Sequence, residues 1–91
     1  MAFTMDEAIA AARKDLAARL GAAQSDIKHW VEEADFPDMA LGAPEEDEMS
    51  GQMITHGWRI SLNVNGRNYE YRANKNQVRL HDFKGQNYKI G

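Results

Sequence analysis

The chain has 91 residues, 43% apolar and 27% charged, with no cysteine. That leaves room for one small domain with a modest core and no disulfide framework. A net charge of −3 argues against a general nucleic-acid binder, and no apolar run approaches the roughly 20 residues that a membrane helix needs. The opening residues MAFTMDEAIA carry acids where a secretory leader has a basic flank and an apolar centre. With the cysteine-free composition, this makes the expected compartment the cytoplasm.

In chain order, residues 5–20 predict a helix. Thr4 and Glu7 have the spacing of a capping box, and Asp6 and Glu7 suit the positive end of the helix dipole. Ile9, Ala12, Leu16 and Leu20 step by three and four onto one face. Gly21 follows as the residue able to take the left-handed conformation that ends a helix. Residues 27–36 read as a strand, Trp30, Ala34 and Phe36 having one parity and Ile27 and Val31 the other; a second short helix competes for the same segment. Residues 37–51 have no period. Pro37, Gly42, Pro44, Gly51 and the run Glu45 to Glu48 predict a long loop.

The meander, residues 52–83, carries the clearest pattern. Trp58, Ile60, Leu62 and Val64 alternate with Arg59, Ser61 and Asn63, and Asn65-Gly66 is the preferred pair for a type I′ hairpin turn. A two-residue turn there sets Val64 opposite Arg67, Leu62 opposite Tyr69, Ile60 opposite Tyr71 and Trp58 opposite Ala73. On the other face Arg59 meets Arg72, with Glu70 diagonal to offset the like charges. A second turn at Asn74 to Gln77 pairs Ala73 with Val78 and Arg72 with Arg79. The tail, residues 84–91, reads as frayed, though Tyr88 and Ile90 could add an edge strand. The expected fold is a single α+β domain: one N-terminal helix packed on a three- to four-stranded antiparallel meander, with the other sheet face wet.

Several short patterns occur in order: Phe36-Pro37-Asp38, Leu41-Gly42-Ala43-Pro44, Gln52-Met53-Ile54-Thr55, Gly57-Trp58-Arg59-Ile60 and Tyr69-Glu70-Tyr71. With the opening AIAAARKDLAARLG they resemble a family of small bacterial proteins of uncharacterised function. Its members read roughly Trp-Pro-Asp, Leu-Gly-Cys-Pro, Gly-Tyr-Arg-Ile and Tyr-Glu-Tyr-His. The resemblance covers most of the chain and implies no activity. The family's Leu-Gly-Cys-Pro cysteine is Ala43 here and its second cysteine is also absent, the joint loss expected if the two bond each other in relatives. The family's histidine is Arg72. More distantly, the helix-then-meander order is similar to PepSY-type and β-lactamase-inhibitor-protein-type domains, which often bind or restrain enzymes.

Charge is strongly segregated. Residues 26–48 hold nine acids against Lys28 alone, and residues 49–91 hold seven bases against two acids. This predicts either a charged face for a partner or an acidic loop folded against its own basic sheet. His29, His56 and His81 match no metal-ligand spacing, the acidic run lacks the ligand alternation of a calcium loop, and Ser50 and Ser61 lack a nucleophile context. No catalytic residue, metal or cofactor is therefore expected, and the chain is read as a binding module rather than an enzyme.

Its candidate partner-binding residues are Phe36, Asp38, Leu41, Glu45, Glu46, Asp47 and Glu48 in the loop, with Arg59, Arg72 and Arg79 on the sheet. Trp30, Phe36 and Trp58 are the aromatic candidates for an anchor. Trp58 is assigned to the core and Phe36, at the mouth of the loop, to recognition. The expected partner is a protein, in an inhibitor-like arrangement using loop 36–51 and a sheet edge. The alternatives are weak nucleic-acid binding along the arginine stripe, without an aromatic on that face to stack bases, and a homodimeric structural module. No membrane association is expected, and the chain is read as a monomer or weak homodimer.

Overall fold

The computed structural model describes residues 2–91. Helix α1 runs Met5–Leu20. The Thr4 hydroxyl accepts from the Glu7 amide at 3.1 Å, and the Glu7 carboxylate accepts from the Thr4 amide at 2.9 Å. Two amides that the helix start leaves without partners are thus satisfied. Gly21 closes the helix at φ 65°, a conformation that a Cβ disfavours. Ala8, Ile9, Ala12, Leu16 and Ala17 are buried, while Leu20 is only partly so. The alanines keep this face slim, so the helix lies close to the sheet.

A short 3-10 turn, Gln24–Asp26, leads into five strands: β1 Lys28–Phe36, β2 Thr55–Val64, β3 Arg67–Asn74, β4 Gln77–Phe83 and β5 Gln86–Lys89. They form one antiparallel sheet in chain order, β1-β2-β3-β4-β5. The Asn65-Gly66 turn has φ 53° and 82°, and it sets the β2–β3 register that its residues dictate, Trp58 opposite Ala73 through Val64 opposite Arg67. The β3–β4 pairs Tyr71–Leu80, Arg72–Arg79 and Ala73–Val78 also follow.

The sheet has five strands, not the three to four expected. The tail is not frayed: Lys84 and Gly85 at φ 53° and 83° make a third tight hairpin turn, and β5 pairs with β4 across a bulge. Tyr88 and Ile90 then pack against the core, and Val78 exchanges backbone hydrogen bonds with Ile90 and Gly91. The tail's polar residues alternate with these two apolar ones, and four residues are too few for that period to stand out.

One sheet face meets α1 through Ile60, Leu62, Val64, Tyr71, Ala73, Val78 and Leu80. Trp58 lies at the margin, half-buried rather than central. Tyr71 is fully buried and its hydroxyl donates to Asp15 at 2.7 Å, tying sheet to helix. Burial, and then the Asp15 carboxylate, raise the phenol pKa far above its ordinary value. The opposite face is not simply wet. Segment 37–48 folds across its far half and buries Phe36, Ala40, Leu41 and Ala43. The chain is therefore a sheet covered by a helix on one side and half-covered by a loop on the other.

Candidate functional site

The register places Lys28, Trp30, Glu32, Ala34 and Phe36 of β1 on the loop-covered face, beside Gly57, Arg59, Ser61 and Asn63 of β2. Directly across follow Asn68, Glu70 and Arg72 of β3, then Arg79 and His81 of β4. Glu32, Arg59, Arg72 and Arg79 thus make one row across four strands, and this row divides the face in two.

On one side of it lies the loop. Asp38 accepts from the amides of Ala40 and Gly42, each at 2.9 Å, and so shapes its first turn. This turn drives Leu41 inward at φ 59°. Arg72 donates to the carbonyls of Leu41 and Gly42 at 3.1 Å, and Gln77 donates to that of Met39 at 2.7 Å. The guanidiniums of Arg59 and Arg72 lie 5.7 and 5.3 Å from the centre of the Phe36 ring.

Arg79 is 3% exposed and makes a two-pronged ion pair with Glu48, at 2.5 and 2.7 Å. It also donates to Gln77 and to the Ala43 carbonyl. Hydrogen bonding from Arg79, with that of the Glu45 amide, lowers the Glu48 pKa to about 2. At the far margin Asn87 donates to the Pro44 carbonyl, and the Lys89 amide donates to Glu45.

Most of the residues singled out for partner binding therefore hold the protein itself together. Phe36 and Leu41, at 2% and 0% exposure, cannot serve as surface anchors; both are core, because the loop packs on the sheet instead of standing away from it. Asp38, Glu45 and Glu48 have internal partners. Arg72 and Arg79 are turned into the loop, and Arg59 pairs with Glu32 and Glu70. Glu46 and Asp47 stay exposed. Of the two readings of the charge segregation, the acidic loop on its own basic sheet is the one found.

On the other side of the row the face is open. A shallow depression of about 370 Å³ is bounded by Lys28, Trp30, Glu32, Ser61, Asn63 and Asn68. Trp30 is 74% exposed. Of the aromatic candidates, Phe36, expected at the surface, is in the interior, and Trp30 is at the surface. An aromatic also stands on the arginine face after all. The sequence signal was partial: Trp30 has the parity opposite to Ile27 and Val31 and shares its face with the charged Lys28 and Glu32, but it shares that parity with Phe36 as well. Lys28, Ser61, Asn63 and Asn68 carried no such signal.

The histidines face charged neighbours. His29 contacts Arg13 at 3.0 Å, and His56 lies between Asp35 and Glu33 at 2.9 and 3.0 Å. Donating to the Asp35 and Glu33 carboxylates raises the His56 pKa, whereas burial and Arg72 lower that of His81. Among the described residues, no group of three or more such side chains is arranged to hold a metal ion, and no helix is long and apolar enough to cross a membrane.

These features define an α+β domain with an antiparallel sheet in chain order, a helix on one face and a pinned loop on half of the other. The chain belongs to the family described as Domain of unknown function (DUF8738), whose profile matches residues 9–81, from within α1 into β4. No curated protein and no solved structure matched the chain.

Proposed function

We propose that the chain is a non-enzymatic, cytoplasmic protein-binding module that takes up an extended segment of a partner along the outer edge of β1. The observation that carries this reading is the edge itself. β1 is nine residues long, pairs only with β2, and presents Trp30 at 74% exposure. An open strand of that length is a template for another strand, and a tryptophan beside it is the residue type that most often anchors an interface. The opposite edge is different: β5 has four residues, adjoins a bulge, and has its Lys89 amide occupied by Glu45.

The loop contributes at one end of this edge. Met39, Met49, Met53 and Ile54 are 51%, 97%, 63% and 75% exposed, and Ile54 adjoins the Thr55–Phe36 pair. Flexible methionines of this kind suit an adaptable contact. The likeness to PepSY-type and β-lactamase-inhibitor-protein-type domains is a fold-level analogy that points the same way. Nucleic-acid binding is the weaker reading, since Arg72 and Arg79 have their donors occupied by loop carbonyls and Glu48.

The test is affinity capture from cell extract with the wild type and with Trp30→Ala, followed by hydrogen exchange on the captured complex. The expected result is a partner, a second copy of the chain included, held by the wild type, lost from the variant, and slowing exchange at residues 28–36. Equal capture by both proteins, or protection confined elsewhere, overturns the reading.

A further inference from the structure

The edge of β1 has an internal order that specifies one partner. From Lys28 the strand reads Lys28-His29, then Trp30-Val31, then Glu32-Glu33: two basic or titratable residues, two apolar ones, two acids. A second strand of the same sequence, running antiparallel, lays its acidic end on the basic end of the first. Resting on the edge-binding reading above, we propose that the occupant of this edge is a second copy of the chain, paired β1 to β1 about a two-fold axis through Trp30.

In that register Lys28 lies opposite Glu32 of the second copy, and Glu32 opposite its Lys28. Trp30 meets Trp30; Lys28 and Trp30 lie on the open half of the sheet and Glu32 at its border, Trp30 is 74% exposed, and the depression gives the indoles room. On the helix face His29 lies opposite Val31, twice. The arrangement is isologous: each copy uses the same patch, and the contact closes on itself without leaving an edge to recruit a third. Both sheets then continue as one, and the longest unpaired edge of the monomer disappears. Opposite charges directly across a strand pair stabilise it, and like charges there oppose it, so the charge order of β1 selects the antiparallel copy over a parallel one.

A two-fold axis through Val31 is the nearest other register. It sets Lys28 opposite Ala34 and Trp30 opposite Glu32, leaving Lys28 without a cross-strand acid. The registers therefore differ in what a charge reversal at Lys28 does.

The experiment is sedimentation velocity over about a hundredfold range of concentration, on the full chain and three variants. The wild type is expected to shift from monomer to dimer. Lys28→Glu alone and Glu32→Lys alone each place like charges opposite one another twice, and each is expected to weaken association about tenfold. An equimolar mixture of the two single variants restores complementarity across the interface and is expected to associate as the wild type does, as is the double variant Lys28→Glu/Glu32→Lys. Recovery in the mixture also excludes unfolding as the cause of the single-variant losses, which matters because Glu32→Lys removes a contact with Arg59 at 3.2 Å.

A wild type that stays monomeric throughout overturns the proposal, and so does failure of the mixture to recover. If Lys28→Glu associates like the wild type, the register through Trp30 falls. A monomer that still captures another protein along residues 28–36 removes self-pairing alone, whereas a monomer that captures nothing removes the edge-binding reading as well.

Discussion

Arg79 shows how one side chain can decide what a loop does. At 3% exposure its charge has little water, so its stability depends on Glu48, Gln77 and the Ala43 carbonyl. Removing the carboxylate strands a buried cation, which costs more than the pair itself contributes. Glu48→Ala is expected to destabilise the fold by about 3 kcal/mol, the low end for such losses, because Gln77 and Ala43 still serve the guanidinium. Urea unfolding at neutral pH measures this.

The same pair gives a pH dependence. Glu48 has a folded pKa of about 2 against an ordinary 4.5, so folding favours its ionised form. Its contribution is complete above pH 4.5 and is lost as pH falls from there towards 2. The wild-type urea midpoint should therefore drop across that window by more than the midpoint of Glu48→Ala does. Parallel profiles would show that the ion pair does not form in solution.

Among the elements, β2 carries a constraint that alternation alone does not reveal. A Cβ on Gly57 would run into the carbonyl oxygen of Ala73 and lie 3.3 Å from the Phe36 ring. Backbone cannot yield as a side-chain tip can, so Gly57→Ala is expected to lower stability by about 2–3 kcal/mol, read as a fall in melting temperature. By contrast a Cβ on Gly66 would stand in open space, and glycine is required there by its φ of 82° instead. This difference marks what the sequence could disclose. The helix, its cap and the β2–β3–β4 register were legible because each rests on local chemistry: a Thr–Glu spacing, a period, an Asn-Gly turn. The placement of 37–48 was not, because it depends on Leu41 at a positive φ and on arginines that look solvated in a strand pattern. Gln77, Val78, Arg79 and Leu80 are all buried, so β4 is covered on both faces. The matching cover is the small apolar stretch Met39-Ala40-Leu41-Gly42-Ala43, inside a segment rich in acids. For the site, parity places Trp30 and Phe36 on one face, and which of them is exposed required knowing that the loop folds back over Phe36.

At the scale of the whole molecule, the sheet has a core on each side, and the question is whether the two melt together. The helix-side cluster is the larger. The loop-side cluster of Phe36, Ala40, Leu41 and Ala43 is small, yet it is fixed to β3 and β4 by Arg72, Gln77 and Arg79 and to β5 by Asn87. Because those strands also carry Tyr71, Val78 and Leu80 on the helix side, the loop cannot leave without exposing guanidiniums whose neighbours are core residues. One cooperative transition is therefore expected. Leu41→Ala tests it: the residue is fully buried, and its truncation is expected to cost about 3 kcal/mol of global stability. Met49→Ala, beside the same segment but 97% exposed, should change stability by less than about 0.5 kcal/mol. Circular dichroism follows the helix and sheet, and the change in tryptophan fluorescence follows Trp58 at the core margin, since Trp30 is already 74% exposed in the folded state. If the clusters are one cooperative unit, both probes shift together in Leu41→Ala. If the loop is an independent flap, the dichroism transition stays at its wild-type midpoint although the buried leucine is gone, because the helix-side core then unfolds without reference to the loop.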